Sequence, residues 1–263
     1  MPEELAAEFT LDFQIPVLRW YINDSSSRPL KWTARAADFN FRKAEARKQR
    51  YYGETDSLLY AALDDYPIAG LDVVIVGSES PWYECICVHY GAKVTTIEYR
   101  DIENHIPGVT VLTPQAFAQA PRKFDVVVSI SSIEHDGLGR YGDPINPVGD
   151  LEAMNNFRDL LKPDGFLILA VPIGRDAIVW NAHRIYGLVR FPMLIDGWLI
   201  VDSFGFREEL FDSELGRWDI QPVWVLKPDL SAGDPDCAIK GQDLNARAWE
   251  NFSSVFSASS KDP

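Results

Sequence analysis

Gly77 and Glu98 carry the first chemical signal in this chain. The apolar run LDVVIVG (71 to 77) ends on Gly77 and passes through Ser78 and Glu79 to Pro81. A glycine there has no Cβ, so a ligand can approach the backbone. The N–H groups that follow lead into a helix N-terminus, with Ser80 as the expected cap and Pro81 in the first turn. Glu98 closes the next apolar run, KVTTIEY (93 to 99). An acid about 20 residues after such a glycine can accept hydrogen bonds from ribose hydroxyls, so the pair points to an adenosine-containing cofactor. The loop GSESPW lacks the later glycines of a dinucleotide fingerprint, and Glu79 would repel a pyrophosphate. The same acid can accept from an ammonium group. The local chemistry therefore favours S-adenosylmethionine over NAD.

A second set of residues could act on a substrate. Glu134-His135-Asp136 follows the run FDVVVSIS (124 to 131), and His135 is a candidate general base because imidazole titrates near neutrality. The loop GLGRYGDPINPVGD (137 to 150) holds Arg140, Tyr141 and Asp143 and is either a lid over a substrate or a connector. NAHRIYG (181 to 187) offers Asn181, His183, Arg184 and Tyr186, types that suit a polar, hydroxyl-rich acceptor or an internal network equally. His135 and His183 follow the ends of neighbouring strands, so both are expected at one pocket, one of them as base. No metal site is expected, because adjacent acids rarely converge on one ion and Cys85, Cys87 and His89 lack zinc spacing.

These residues need a scaffold that brings strand ends together. VTVL (109 to 112) and GFLILAVP (165 to 172) add two more short buried runs, and PWYECICVHY and DLEAMNNFRDLL read as helices between strands, the latter capped by Asp150. Strands alternating with helices predict an α/β fold with a doubly wound, Rossmann-like, mostly parallel sheet. WLIVDSFG (198 to 205) and PVWVLKP (222 to 228) lack a helix between them and predict an antiparallel pair at one edge. Residues 1 to 65 read as a mixed, partly helical appendage or lid, 66 to 230 as the α/β domain, and 231 to 263 as a partly mobile extension.

At 263 residues and 46% hydrophobic content the chain can bury a sizeable core. Its net charge of −14 argues against nucleic acid or an anionic membrane as partner, since both need a basic surface. The one basic island, FRKAEARKQR (41 to 50), reads as a solvated helix face or a grip on an anionic group. No apolar run is long enough to span a bilayer, and the first residues do not read as a secretory signal. Three cysteines with no framework fit reduced thiols and a cytoplasmic setting.

VVIVGSES, VTTIEY, FDVVVSISSIEH, LLKPDGFLILAVP and the terminal strand pair together resemble the class I S-adenosylmethionine-dependent methyltransferases. More narrowly, SIEHDGLGRYGDPINPVGDLEAM followed by WNAHRIYG is similar to a methyltransferase-like branch known as domain of unknown function family 268, over residues 54 to 228. The resemblance implies that Gly77, Ser78 and Glu79 line the methionine end of the cofactor and that Glu98 holds the ribose. It implies Tyr99 beside the adenine with Thr113 near it, and Ser131 and Ser132 beside the sulfonium. The expected activity is methyl transfer to a hydroxyl of a small or glycan-like acceptor. The rivals are a non-catalytic binding protein on the same fold and a nicotinamide-dependent oxidoreductase.

Overall fold

The computed structural model describes residues 1–24 and 29–230, so the expected C-terminal extension and Cys237 lie outside the described residues. From the N-terminus the chain runs through α1 (Ala6–Thr10), β1 (Val17–Trp20), β2 (Leu30–Trp32), α2 (Ala34–Glu45) and α3 (Glu54–Asp65). It continues through β3 (Asp72–Val76), α4 (Trp82–His89), β4 (Lys93–Ile97), β5 (Ile102–Asn104), β6 (Val109–Leu112), α5 (Pro114–Gln119) and β7 (Phe124–Ile130). It ends with α6 (Gly149–Leu160), β8 (Leu161–Ala170), β9 (Ala177–Asn181), β10 (His183–Ile185), α7 (Arg190–Leu194), β11 (Trp198–Phe204) and β12 (Val223–Pro228).

The buried apolar runs assemble as expected. A seven-stranded sheet has the order β11-β12-β8-β7-β3-β4-β6. β3 pairs in parallel with both β4 and β7, β4 with β6, and β7 with β8. β12 runs antiparallel to β8, and β11 antiparallel to β12, so the terminal pair extends the sheet beyond β8. Strand order reverses between β3 and β7, which makes the crevice above their carboxyl ends the place where such sheets bind ligands. One core cluster packs Trp82, Cys85, Ile86 and Leu59 on one face of the sheet, and another packs Met154, Phe157, Phe191 and Trp224 on the other.

Several local expectations shift. α4 begins at Trp82 with Pro81 in the cap position and no side-chain cap, while Ser80 Oγ meets the Tyr51 hydroxyl at 2.7 Å. α6 begins at Gly149, and Asp150 turns into the core rather than capping. β4 stops at Ile97, leaving Glu98 and Tyr99 just past the strand. The NAHRIYG segment forms part of a hairpin, β9–β10.

The N-terminal segment crosses this scaffold. β1 adds in parallel to β9, and β2 adds in parallel to β5. Ile22 N–H donates to Asn181 Oδ1 at 2.8 Å, Asp24 accepts from Arg140 Nε at 2.8 Å, and Trp32 Nε1 donates to the Glu79 carbonyl at 3.2 Å. The segment thus straps the loops that follow β3 and β7 to the hairpin after β8. α2 is capped by Thr33, whose Oγ1 accepts from Ala36 N–H at 3.2 Å. Its basic residues include Lys43, whose ammonium lies over the Phe39 ring, and the Arg47 just beyond it pairs with Asp64 at 2.7 Å.

Trp32 is 2% exposed and shares its core cluster with β3 and α4. Trp32→Ala should therefore cost about 3–5 kcal/mol of whole-molecule stability in urea unfolding. A separate early transition for the N-terminal segment, with the main one unmoved, would show that the strap is independent of the sheet.

Candidate functional site at the strand switch

The crevice between β3 and β7 is closed at its base by a contact between the two strand ends. Gly77 has φ +74°, and a Cβ there would collide with Ser132 Oγ. The sequence suggests that this glycine lets a ligand approach. In the structure the close approach is made by Ser132. Ser131 is itself left-handed at φ 50°. Its Oγ donates to Glu134 Oε1 at 2.6 Å and accepts from Gln221 Nε2 at 3.1 Å. Gln221 arrives just before β12, so the antiparallel pair supplies a residue to the crevice.

Glu98 sits on the other flank. Its Oε2 accepts from Ser78 N–H at 2.9 Å and its Oε1 from Arg100 N–H at 3.1 Å, while Arg100 also pairs with Glu79 at 2.6 Å. Burial first, and Glu79 nearby, push the Glu98 carboxyl up. An ionised carboxylate offers about four acceptor positions, so the two backbone donors leave capacity for ribose hydroxyls. Ser78 is buried with its Oγ donating to the Ser80 carbonyl at 3.0 Å. Tyr99 is 79% exposed beside Glu98, leaving its ring open to stacking. Thr113 caps α5 through Ala116 N–H at 3.2 Å. The residues in the crevice fit an adenosine-bearing group with a polar tail. Further in, Glu134 Oε2, His183 Nε2 and Gln221 Oε1 are buried without a partner among the described residues.

His135 and His183 come together, with ring centroids 6.3 Å apart. His135 Nδ1 lies 2.5 Å from the Ala182 carbonyl, which can only accept, so Nδ1 carries the proton and Nε2 is left as acceptor. Nε2 is 3.5 Å from Glu134 Oε1. Burial holds His135 down to about 3 and, with Arg140 adding to it, His183 to about 4. Both rings are neutral at pH 7 and weak as bases, against the expectation of a histidine base. Trp20 and Trp218, each close to half exposed, flank His183 at 6.0 and 6.1 Å.

The residues expected to grip a substrate divide differently. Tyr141 remains partly open beside His135 at 5.7 Å. Arg140 is partly open and tied to Asp24. Asp143 instead cages its own loop, accepting from the N–H groups of Gly137, Gly139 and Tyr141. Asn181 is 2% exposed and holds the strap. Arg184 and Tyr186 are fully buried. Arg184 donates to the carbonyls of Asp136, Asn146 and Pro147, and the Tyr186 hydroxyl to Asp150 Oδ2 at 3.0 Å. Arg190 completes this knot with bonds to both Asp150 oxygens at 2.6 and 2.9 Å. Tyr52 and Gln221 beside Ser131, and Trp218 beside His183, carry no sequence signal, because their places near the crevice arise only from tertiary packing. Among the described residues no group of three or more His, Cys, Asp or Glu side chains is set to hold a metal.

Two outcomes follow from these contacts. Gly77→Ala should lose about 1–3 kcal/mol through the positive φ alone, plus the collision. Adding Ser132→Gly should restore the collision part in chemical denaturation; a neutral Gly77→Ala would remove Ser132 as the constraint. Asp150→Asn should cost roughly 3–5 kcal/mol, because it strips two buried guanidinium groups of their counter-charge. A loss below 1 kcal/mol in the same assay would mean that Arg184 and Arg190 have other support.

The family model described as "Caenorhabditis protein of unknown function, DUF268" matches residues 70–215. No curated protein matches the chain. Among solved structures, the 1,6-didemethyltoxoflavin-N1-methyltransferase of Burkholderia thailandensis is 16% identical, with 87% of this chain and 90% of that one covered and a TM-score of 0.47. The ribosomal protein L11 methylase of Lactobacillus delbrueckii subsp. bulgaricus is 17% identical over 66% of this chain and 78% of that one, with a TM-score of 0.42. The N-methyltransferase NodS of Bradyrhizobium japonicum is 14% identical over 66% and 94%, with a TM-score of 0.44. The family match runs from just before β3 to past β11 and takes in Gly77, Glu98, Glu134 and both histidines. It spans more than half of the sequence, and the chain belongs to the DUF268 family.

Proposed function

We propose that this protein is an S-adenosylmethionine-dependent methyltransferase acting on a hydroxyl of a small polar or glycan-like acceptor. The observation that carries the reading is the crevice at the strand switch, where Gly77, Ser131 and Ser132 meet and Glu98 stands past the end of β4. Gly77, Ser78 and Glu79 line the methionine end, Glu98 accepts from the ribose, and Tyr99 and the Thr113 region flank the adenine. Ser131 and Ser132 lie beside the sulfonium. When bound, S-adenosylmethionine supplies a methyl group already primed to leave a sulfonium. What remains for the chain is to orient an acceptor at about 3 to 3.5 Å and to receive its proton.

On the acceptor side, His135 and His183 act as neutral hydrogen-bonding groups, with Tyr141 and Arg140 at the rim. The half-exposed faces of Trp20 and Trp218 beside His183 support a ring-shaped polar acceptor, because an indole offers an apolar face with a polar edge. Arg184, Tyr186, Asn181 and Asp143 shape this wall from behind. The nicotinamide alternative is disfavoured by the single glycine of the loop and by the antiparallel β11–β12 pair. No helix among the described residues is long and apolar enough to cross a membrane. Cys85 and Cys87 are buried free thiols among the described residues, which supports a reducing, cytoplasmic setting.

Calorimetry with S-adenosylhomocysteine and NAD tests the reading. S-adenosylhomocysteine should bind and NAD should not, and Glu98→Ala should weaken the former by about 1.5–3 kcal/mol. Binding of NAD alone would overturn the cofactor assignment. Binding without methyl transfer to any hydroxyl-bearing acceptor would favour the non-catalytic alternative.

A further inference from the structure

We infer that Glu134 is the group that takes the proton from the acceptor, an assignment that rests on the methyltransferase reading above. Glu134 lies in the single helical turn Ile133–His135 that follows β7, next to the crevice. Its side chain is 1% exposed. One oxygen, Oε1, is fixed by Ser131 Oγ at 2.6 Å and stands 3.5 Å from His135 Nε2. The other, Oε2, has no partner among the described residues.

A contrast inside the same molecule gives this asymmetry its meaning. Asp150 is equally buried, but both of its oxygens are bonded, by Arg190 and Tyr186, and the guanidinium groups of Arg184 and Arg190 hold its carboxyl below the usual range despite burial. That is how a structural carboxylate looks. Glu134 is anchored by one oxygen and leaves the other buried and unpartnered; Glu84 shares this pattern through Thr96 but lies within α4, whereas Glu134 directly follows β7 beside Ser131 and His135, where a bound group can meet it. Ser131 and Gln221 form the anchor, one standing just after β7 and the other just before β12.

The neighbouring histidine cannot take this role. His135 already donates from Nδ1 to Ala182, and burial keeps its ring from holding a second proton near neutrality. Burial acts oppositely on Glu134 and pushes it up to about 7, opposed by Ser131, Arg140 and Arg184. The titratable and charged groups around it are His135 and Asp136 on its own turn, Tyr52 from before α3, Arg140 from the following loop, and Arg184 and Tyr186 from the hairpin and its end. A carboxyl poised near the working pH is an effective general base. In the transfer, the acceptor oxygen bonds to the methyl carbon and the S–C bond breaks with its electron pair left on sulfur. The acceptor proton passes to Glu134 Oε2.

The test needs no acceptor. Sinefungin carries an amine-bearing carbon where the sulfonium and its methyl would stand, so its ammonium probes what faces the transferred group. Full-length wild type and Glu134→Gln are titrated calorimetrically with sinefungin and with S-adenosylhomocysteine across the pH range around neutrality. In wild type, sinefungin should gain on S-adenosylhomocysteine by about 10- to 100-fold as Glu134 ionises, the worth of one charge-assisted hydrogen bond. Glu134→Gln should abolish the gain and leave S-adenosylhomocysteine affinity unchanged. Should that variant not fold, Glu134→Asp, which withdraws the charge by one methylene, must shrink the gain. An identical sinefungin preference in wild type and variant at every pH overturns the role of Glu134 while leaving the methyltransferase reading standing. Failure of both nucleosides to bind wild type overturns that reading and this assignment with it.

Discussion

The closeness of Gly77 to Ser132 is the constraint on which the rest of the site depends. Parallel strands diverge in register and twist, and above a switch in strand order their connections turn away from each other. Here the turn after β3 and the turn after β7 instead touch, because one has no side chain and the other a small one. Gly77 and Ser131, the residue before Ser132, take positive φ, so the backbone is committed locally to this shape. With the floor fixed, Ser78 N–H can reach Glu98 and Ser131 Oγ can reach Glu134. The two acids on either side of the crevice are thus oriented by one packing contact.

A second layer of order stands behind the loop that follows β7. Asp150, Arg184, Arg190 and Tyr186 form a buried charged knot joining α6, the β9–β10 hairpin and α7. Buried ion pairs are weak sources of stability, because desolvation offsets most of their attraction. Their directionality is the more useful property. Arg184 also takes the carbonyls at both ends of the loop from Asp136 to Pro147, so the loop's path is set from inside. Asp143 sets it from within by collecting three N–H groups. A segment rich in Gly and Pro becomes a shaped wall through these bonds.

Much of the scaffold was legible because burial on both faces writes itself as short continuous apolar runs. LDVVIVG, KVTTIEY, VTVL, FDVVVSIS and GFLILAVP all became parallel strands, and the terminal pair became antiparallel. The pairing of His135 with His183 followed from strand adjacency alone. What the sequence could not show was direction of side chains. Arg184 and Tyr186 look like ligand-binding residues by type, yet burial turns them into framework, and burial is a property of the whole fold. The same holds for the histidines, whose basicity is removed by an environment built from distant segments. The strands β1, β2, β5, β9 and β10 escaped notice because each pairs outside the main sheet, and β2, β5 and β10 have only three residues each, too few for a period to be read.

The strap has a consequence for how the molecule is made. Its ties join residues 159, 116 and 47 positions apart, from Ile22 to Asn181, Asp24 to Arg140 and Trp32 to Glu79. Contacts of such long range close large loops, and their entropy is recovered only once both ends are already ordered. The hairpin that receives β1 is among the last parts of the α/β unit to emerge during synthesis. A segment made before the α/β unit therefore completes its ties only after that hairpin has been made, and until then the crevice it crosses lacks them on that side.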